Sequence, residues 1–241
     1  MATTNRMIKR FQQLMETDTG IRTVFQPVMP LTGSTPIGYE ALSRGPSPWL
    51  AKPAELFRMA RELGQSAILD RLCFRTALKN FRAQAATESL LFINVLPESL
   101  ESRHIAAAQV AEWAHQADVS PKQIVLEITE EPVHDWPGFM QAVDQFRYYG
   151  MRLALDDVGS GHSNFVMLSD LLPDYVKLDW QFVRLTRMRP VRQLLVEALV
   201  RFADQIGSQI VAEGIESRED AEVFQLLGVP LGQGFYYHQS A

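Results

Sequence analysis

Met151-Arg152-Leu153-Ala154-Leu155-Asp156-Asp157-Val158-Gly159-Ser160-Gly161 is a short apolar run that closes on two adjacent carboxylates and enters a glycine-rich turn. A strand ending this way presents negative charge at the mouth of a fold. Two neighbouring carboxylates repel each other unless a proton or a cation compensates them. A divalent metal is the usual compensator, and such a pair can serve two metals.

Working outward, comparable strand-like runs occur at 23–28, 37–42, 90–95, 124–128, 152–156, 175–178 and 209–212, with a weak one at 234–237. Amphipathic stretches at 53–63, 65–82, 105–117, 139–149, 191–206 and 218–227 separate most of them. Alternation of strand and helix predicts a parallel α/β sheet. About eight strands in 241 residues fit a closed (β/α)8 TIM-like barrel better than an open sheet. Only residues 29–36 separate the first two strands, with Gly33 and Pro36 as turn signals, so these two form a hairpin and one strand runs antiparallel to the rest. No linker or low-complexity tract interrupts the chain, which reads as one domain over 1–241 with a helical lead-in at 1–20.

Composition narrows the function. Hydrophobic residues make up 46%, enough for a large core. No stretch reaches the ~18 consecutive apolar residues of a membrane span, and the N-terminus lacks the apolar block of a signal peptide, so a cytoplasmic location is expected. The net charge of -5 leaves no electrostatic footprint for duplex nucleic acid. Cys73 is the only cysteine, which excludes an intrachain disulfide and a cysteine-based metal site. Its helical apolar surroundings predict a small buried hydrophobe.

Polar groups recur near the strand ends: Glu40, Asn94, Glu127, Asp156 with Asp157, Lys177 with Asp179, Glu213 with Glu216, and Gln233. In barrel enzymes that end carries the active site. Seven acids gather there beside Asn94, and so many buried like charges would destabilise the fold without a cation. Oxygen donors of this kind suit a hard ion, Mg²⁺ or Mn²⁺. Lys177 reads as a buried counter-ion for Asp156 or Glu127, or as a cation that orients a water and stabilises charge in a transition state. The two roles are compatible.

These residues together resemble the EAL family of bacterial cyclic di-GMP phosphodiesterases. The resemblance rests on Phe25-Gln26-Pro27, Glu40-Ala41-Leu42 with Arg44, Asn94, Leu126-Glu127-Ile128-Thr129-Glu130, Asp156 to Gly161, Lys177-Leu178-Asp179, Val211 to Glu216, and Gln233-Gly234. It implies a barrel with an antiparallel first strand and two divalent cations, Mg²⁺ or Mn²⁺. Glu40, Asn94, Glu127 and Asp156 would bind one, with Asp156 bridging to a second completed by Asp157. Lys177 and Glu213 would position the attacking water, with Asp157 or Glu213 accepting its proton and Gln233 holding the network from the far side. Gln26, Leu42, Arg44 and Asp179 would contact the dinucleotide. Glu216 and the 157–164 loop, including Ser160, would link the site to a dimer interface.

The implied reaction converts cyclic di-GMP to linear 5′-pGpG, lowering a second messenger of the kind that governs biofilm and motility. A homodimer is implied, as is a regulatory domain or partner protein, since no sensor segment is evident. A binding-only module would have lost ligands, and all eight first-rank positions are filled here. A barrel hydrolase of another phosphodiester is opposed by Gln26, Arg44 and Asp179.

The loop reads Val158-Gly159-Ser160-Gly161-His162-Ser163-Asn164-Phe165, where the family more often has Phe, Thr, Tyr, Ser and Leu at Val158, Ser160, His162, Asn164 and Phe165. Four other histidines (104, 115, 134 and 238) read as surface residues. Trp49, Trp113, Trp136 and Trp180 read as packing residues, and the arginines at 184, 187, 189 and 192 as a solvated or interface face. Of the apolar stripe Leu194, Leu195, Ala198, Leu199 and Phe202, most is expected to face the barrel.

Overall fold

The computed structural model describes residues 2–17, 20–46, 50–82, 88–129, 132–160 and 165–238. Its strands are β1 (Arg22–Pro30), β2 (Gly38–Arg44), β3 (Leu90–Val95), β4 (Ile124–Ile128), β5 (Arg152–Val158), β6 (Tyr175–Leu178), β7 (Gln209–Ala212) and β8 (Leu231–Gly232). Its helices are α1 (Ala2–Thr17), α2 (Pro53–Glu62), α3 (Ser66–Phe81), α4 (Pro97–Glu101), α5 (Ala107–Gln116), α6 (Trp136–Tyr148), α7 (Phe165–Leu171), α8 (Trp180–Thr186), α9 (Pro190–Ile206), α10 (Arg218–Leu226) and α11 (Phe235–His238).

The strands close into a barrel in sequence order. β1 is antiparallel to both its neighbours, β2 and β8, and the other pairs are parallel. The expected hairpin is therefore present: the Gly33 N–H donates to the Pro30 carbonyl at 3.2 Å and the Ile37 N–H to the Val28 carbonyl at 3.0 Å.

Strand periodicity places the site. Side chains alternate between the barrel interior and the helical shell. Val28, Leu90, Phe92, Val125, Ala154, Tyr175, Val211 and Leu231 form the apolar interior. The intervening residues, such as Ile93, Leu126, Leu155, Leu178 and Ile210, pack outward beneath the helices. Two positions beyond the last interior residue of each parallel strand stands a polar group. Phe92 leads to Asn94, Val125 to Glu127, Ala154 to Asp156, Tyr175 to Lys177, Val211 to Glu213 and Leu231 to Gln233. β2 adds Glu40, paired in register with Gln26 of the antiparallel β1.

The last strand differs from expectation. β8 is only Leu231–Gly232, and the aromatic run at 234–237 that suggested a strand lies instead at Gly234 and in the helical turn α11. Past Gly232 the Gln233 N–H still donates to the Ala212 carbonyl of β7, and the Gln233 carbonyl accepts from the Ile215 N–H in the loop after it, both at 2.9 Å. At Gly234 the chain passes so close to the Ile215 backbone that a Cβ would collide with it. The Tyr236 N–H then turns back to the Ile215 carbonyl at 3.0 Å.

α9 also departs from expectation. Its barrel-facing stripe is Val196, Leu199, Val200 and Ala203. Of the predicted stripe only Leu199 is buried, while Leu194 is 62% exposed and Leu195 and Phe202 are exposed with it. The helix is apolar on two faces, and the barrel uses one of them.

Phe11 and Leu14 of α1 pack with Ile21, Leu50 and the apolar faces of α2 and α3 in a satellite core that includes Cys73. Burial pushes the Cys73 thiol up to about 12, in keeping with its reading as an inert hydrophobe. His104, His115 and His134 are exposed. Trp49, Glu130 and residues 161–164 lie outside the described residues, as do the side chains of Phe165 and His238. Among the described residues no helix is long and apolar enough to cross a membrane.

Candidate active site

Lys177 is the centre of the polar layer. It is fully enclosed, and its Nζ lies 2.7 Å from Glu127, 2.7 Å from Glu213, 3.1 Å from Glu40 and 3.4 Å from Asp156. The counter-ion reading is thus extended from one partner to four. Burial alone would lower the Lys177 pKa, but these four carboxylates hold it well above the usual lysine range.

The carboxylates divide according to their hydrogen bonds. Burial would raise Glu40, but the Lys177 charge and bonds from Gln233, Lys177 and Asn94 hold it below the ordinary value. The Asn94 amide donates to Glu40 at 2.9 Å and to Glu127 at 3.1 Å, and Gln233 donates to Glu40 at 2.5 Å. Glu127 lies well above the ordinary value because of burial and the neighbouring Glu40 charge. Burial and Glu40 also raise Asp156. Burial is the main cause that pushes Glu213 up to about 8.

Asp156 and Asp157 sit where β5 slips register against β6, between Leu155 and Val158. Asp157 adopts a left-handed φ of 58°, which aspartate tolerates better than most residues, and its N–H donates to Asp156 Oδ1 at 2.9 Å. Strand alternation already points Asp156 inward, and the irregularity after it leaves Asp157 exposed on the rim. Asp156, Asp157 and Glu213 each offer an oxygen, all within 4.8 Å of one another.

One ammonium therefore faces Glu40, Glu127, Asp156 and Glu213, with Asp157 beside them. Gln233 Oε1 is buried without a hydrogen-bond partner. Raised carboxyl pKa values, converging oxygens and an orphan carbonyl fit a hard divalent cation.

The cleft above this floor has two lobes. One, of about 510 Å³, is lined by Val24, Gln26, Arg44, Trp180, Glu216 and Phe235 around Asp156, Glu213 and Gln233. The other, of about 430 Å³, lies under α2 and is lined by Pro53, Phe57, Arg61, Asn94, Thr129 and Asp157. Glu40 and Leu42 border both.

Of the expected ligand contacts, Gln26, Leu42 and Arg44 line this cleft. Asp179 does not. It is buried as the N-cap of α8, where its Oδ1 accepts from the Gln181 N–H at 2.9 Å. Ser160 is exposed, and its N–H donates to the Asp157 carbonyl at 3.1 Å. Trp180 and Phe235 were missed as cleft residues. The packing role expected of Trp180 does not hold, since it is 47% exposed, and Phe235 is 69% exposed. Their positions directly after Asp179 and Gly234, at strand ends, were the available signal.

Comparison with known proteins points the same way. A family model described as the EAL domain matches residues 8–240. A cyclic di-GMP phosphodiesterase of Pseudomonas aeruginosa is 30% identical over 239 residues, covering 97% of this chain and 40% of its own length. The chain thus spans about two fifths of that relative. Klebsiella pneumoniae BlrP1, solved as a calcium/cy-diGMP complex, superposes with a TM-score of 0.83 at 28% identity, covering 90% of this chain and 55% of BlrP1. A standalone EAL protein from Vibrio cholerae O395, solved in a c-di-GMP bound form, gives a TM-score of 0.79 at 27% identity and covers 90% of each chain.

Proposed function

Because the chain belongs to the EAL domain family, we propose that it hydrolyses cyclic di-GMP to linear 5′-pGpG. The observation that carries this reading is the charge imbalance at the barrel mouth, where one buried ammonium meets four carboxylates. Such a floor suits an anionic ligand only when further cations accompany it. The two-lobed cleft suits an elongated ligand with two bases and two phosphates.

Glu40, Asn94, Glu127 and Asp156 would hold one divalent cation, Mg²⁺ or Mn²⁺, and Asp156 with Asp157 a second. When bound, such cations supply an acidified water and neutralise phosphate charge. The chain's own groups do the rest. Lys177 and Glu213 orient the water, and Asp157 or Glu213 takes its proton. The water oxygen adds at phosphorus, the bond to the 3′ oxygen breaks, and the proton taken from the water passes to that oxygen to give the 3′ hydroxyl. Arg44 pairs with phosphate oxygens, where its guanidinium fork fits. Gln26 and Leu42 contact the dinucleotide, Gln233 holds Glu40 in place, and Asp179 fixes the helix that borders the cleft.

We place a homodimer contact on the exposed apolar face formed by Leu185, Met188, Val191, Leu194, Leu195 and Phe202. Glu216 on the cleft rim and Ser160 beside Asp157 would couple the site to it.

The test is incubation with cyclic di-GMP and Mg²⁺ or Mn²⁺, followed by nucleotide chromatography. 5′-pGpG is expected, and Glu40→Ala is expected to abolish it. Tight binding without product would make the protein a sensor, and wild-type turnover in Glu40→Ala would remove the metal assignment.

A further inference from the structure

We infer that Trp180 is the platform on which one base of the bound dinucleotide stacks. This assignment rests on the cyclic di-GMP reading above and names a binding residue outside the motifs that led to it. Trp180 is the first residue of α8, and the helix buries other side chains, Phe182, Val183 and Thr186. The tryptophan is left 47% exposed on the wall of the larger lobe. Among the described residues no other aromatic ring stacks on it.

Its base is nevertheless held. A Cβ at Gly214 would lie 2.6 Å from the Trp180 Cβ, and Gly214 has a φ of 70°. The loop after β7 thus has no side chain where the indole is seated, at a backbone conformation that glycine adopts without strain. The Asp179 cap fixes the start of the same helix. An exposed indole with a fixed origin is a rigid surface.

The chemistry of the wall differs from that of the floor. Val24, Leu42, Trp180 and Phe235 supply apolar surface around Asp156 and Glu213. A phosphate with cations is matched by the acidic floor alone. The apolar rim matches a flat, weakly solvated group attached to that phosphate, and a purine face is such a group. Base–aromatic stacking tolerates any base, so Trp180 contributes affinity and position, and the polar groups of the cleft select guanine.

The test is equilibrium binding of cyclic di-GMP by calorimetry, in Ca²⁺, which compensates the acidic floor, and separately in chelator, for the wild type, Trp180→Ala and Trp180→Phe. Trp180→Ala is expected to weaken binding roughly 10-fold or more, while Trp180→Phe retains a ring and stays within about 3-fold. Ligand-induced quenching of tryptophan emission is expected in the wild type and lost in Trp180→Phe, a readout that holds even if the alanine variant does not fold. With cations added, KM rises in Trp180→Ala by a similar factor. Equal affinity in wild type and a folded Trp180→Ala, or quenching that persists in Trp180→Phe, overturns the platform alone. A wild type that binds no cyclic di-GMP with or without cations overturns both the platform and the functional reading.

Discussion

At the scale of single residues, Lys177 holds the site together before any ligand arrives. Removing one partner of a buried ion pair is more damaging than replacing the whole pair, because the remaining charge stays buried. Here four carboxylates would be stranded. Lys177→Met is therefore expected to destabilise the metal-free protein by about 3–5 kcal/mol in urea denaturation. The deficit should shrink in acid as the carboxylates take protons. An unchanged unfolding midpoint near neutral pH would show that the carboxylates are already neutral without the lysine. Residues of this layer were legible because each stands two positions beyond an interior apolar residue, and strand periodicity fixes which way it points. Trp180 was not legible. Its place directly after Asp179 pointed to the cleft rim, but tryptophan is highly buried on average, and its 47% exposure is set by the tertiary fold.

At the scale of elements, the strands and long helices were legible because period-two and helical patterns arise from the same core the barrel builds. β8 was not, since two residues carry no period. The neighbouring aromatic run mimicked a strand while serving to pack Tyr236 and Tyr237 against the shell. α9 failed for the opposite reason: its apolar content was read correctly and assigned to the wrong side. A helix with two apolar stripes has one more than a barrel needs, and exposed Leu194, Leu195 and Phe202 belong to the surplus. The double variant Leu194→Glu, Leu195→Glu is expected to convert a dimer into a monomer in sedimentation equilibrium, with circular dichroism unchanged. A wild type that sediments as a monomer would remove the dimer, and a variant that remains dimeric would move the contact elsewhere.

At the scale of the whole molecule, the barrel mouth makes stability depend jointly on pH and cations. Glu213 rises on folding from an ordinary 4.5 to about 8, mainly through burial. A raised carboxyl contributes stability that is fully present below its unfolded value and is lost as pH rises through the folded one. Glu127 and Asp156 are raised and act with the same sign. Glu40 is lowered, so its contribution is lost only as pH falls into the acid range. Lys177 is raised and keeps its charge across this window. Without cations, Tm is therefore expected to fall as pH rises from about 5 to about 8. Divalent cations bind the deprotonated carboxylates, so their effect has the opposite slope. Millimolar Mn²⁺ should raise Tm more at pH 8 than at pH 5.5, flattening the profile that chelator exposes. The measurement is a set of thermal melts at several pH values with EDTA and with Mn²⁺. If Tm in EDTA rises between pH 5.5 and 8, or Mn²⁺ stabilises equally at both, then the polar layer is compensated from within the chain and its carboxylates are not arranged for metal.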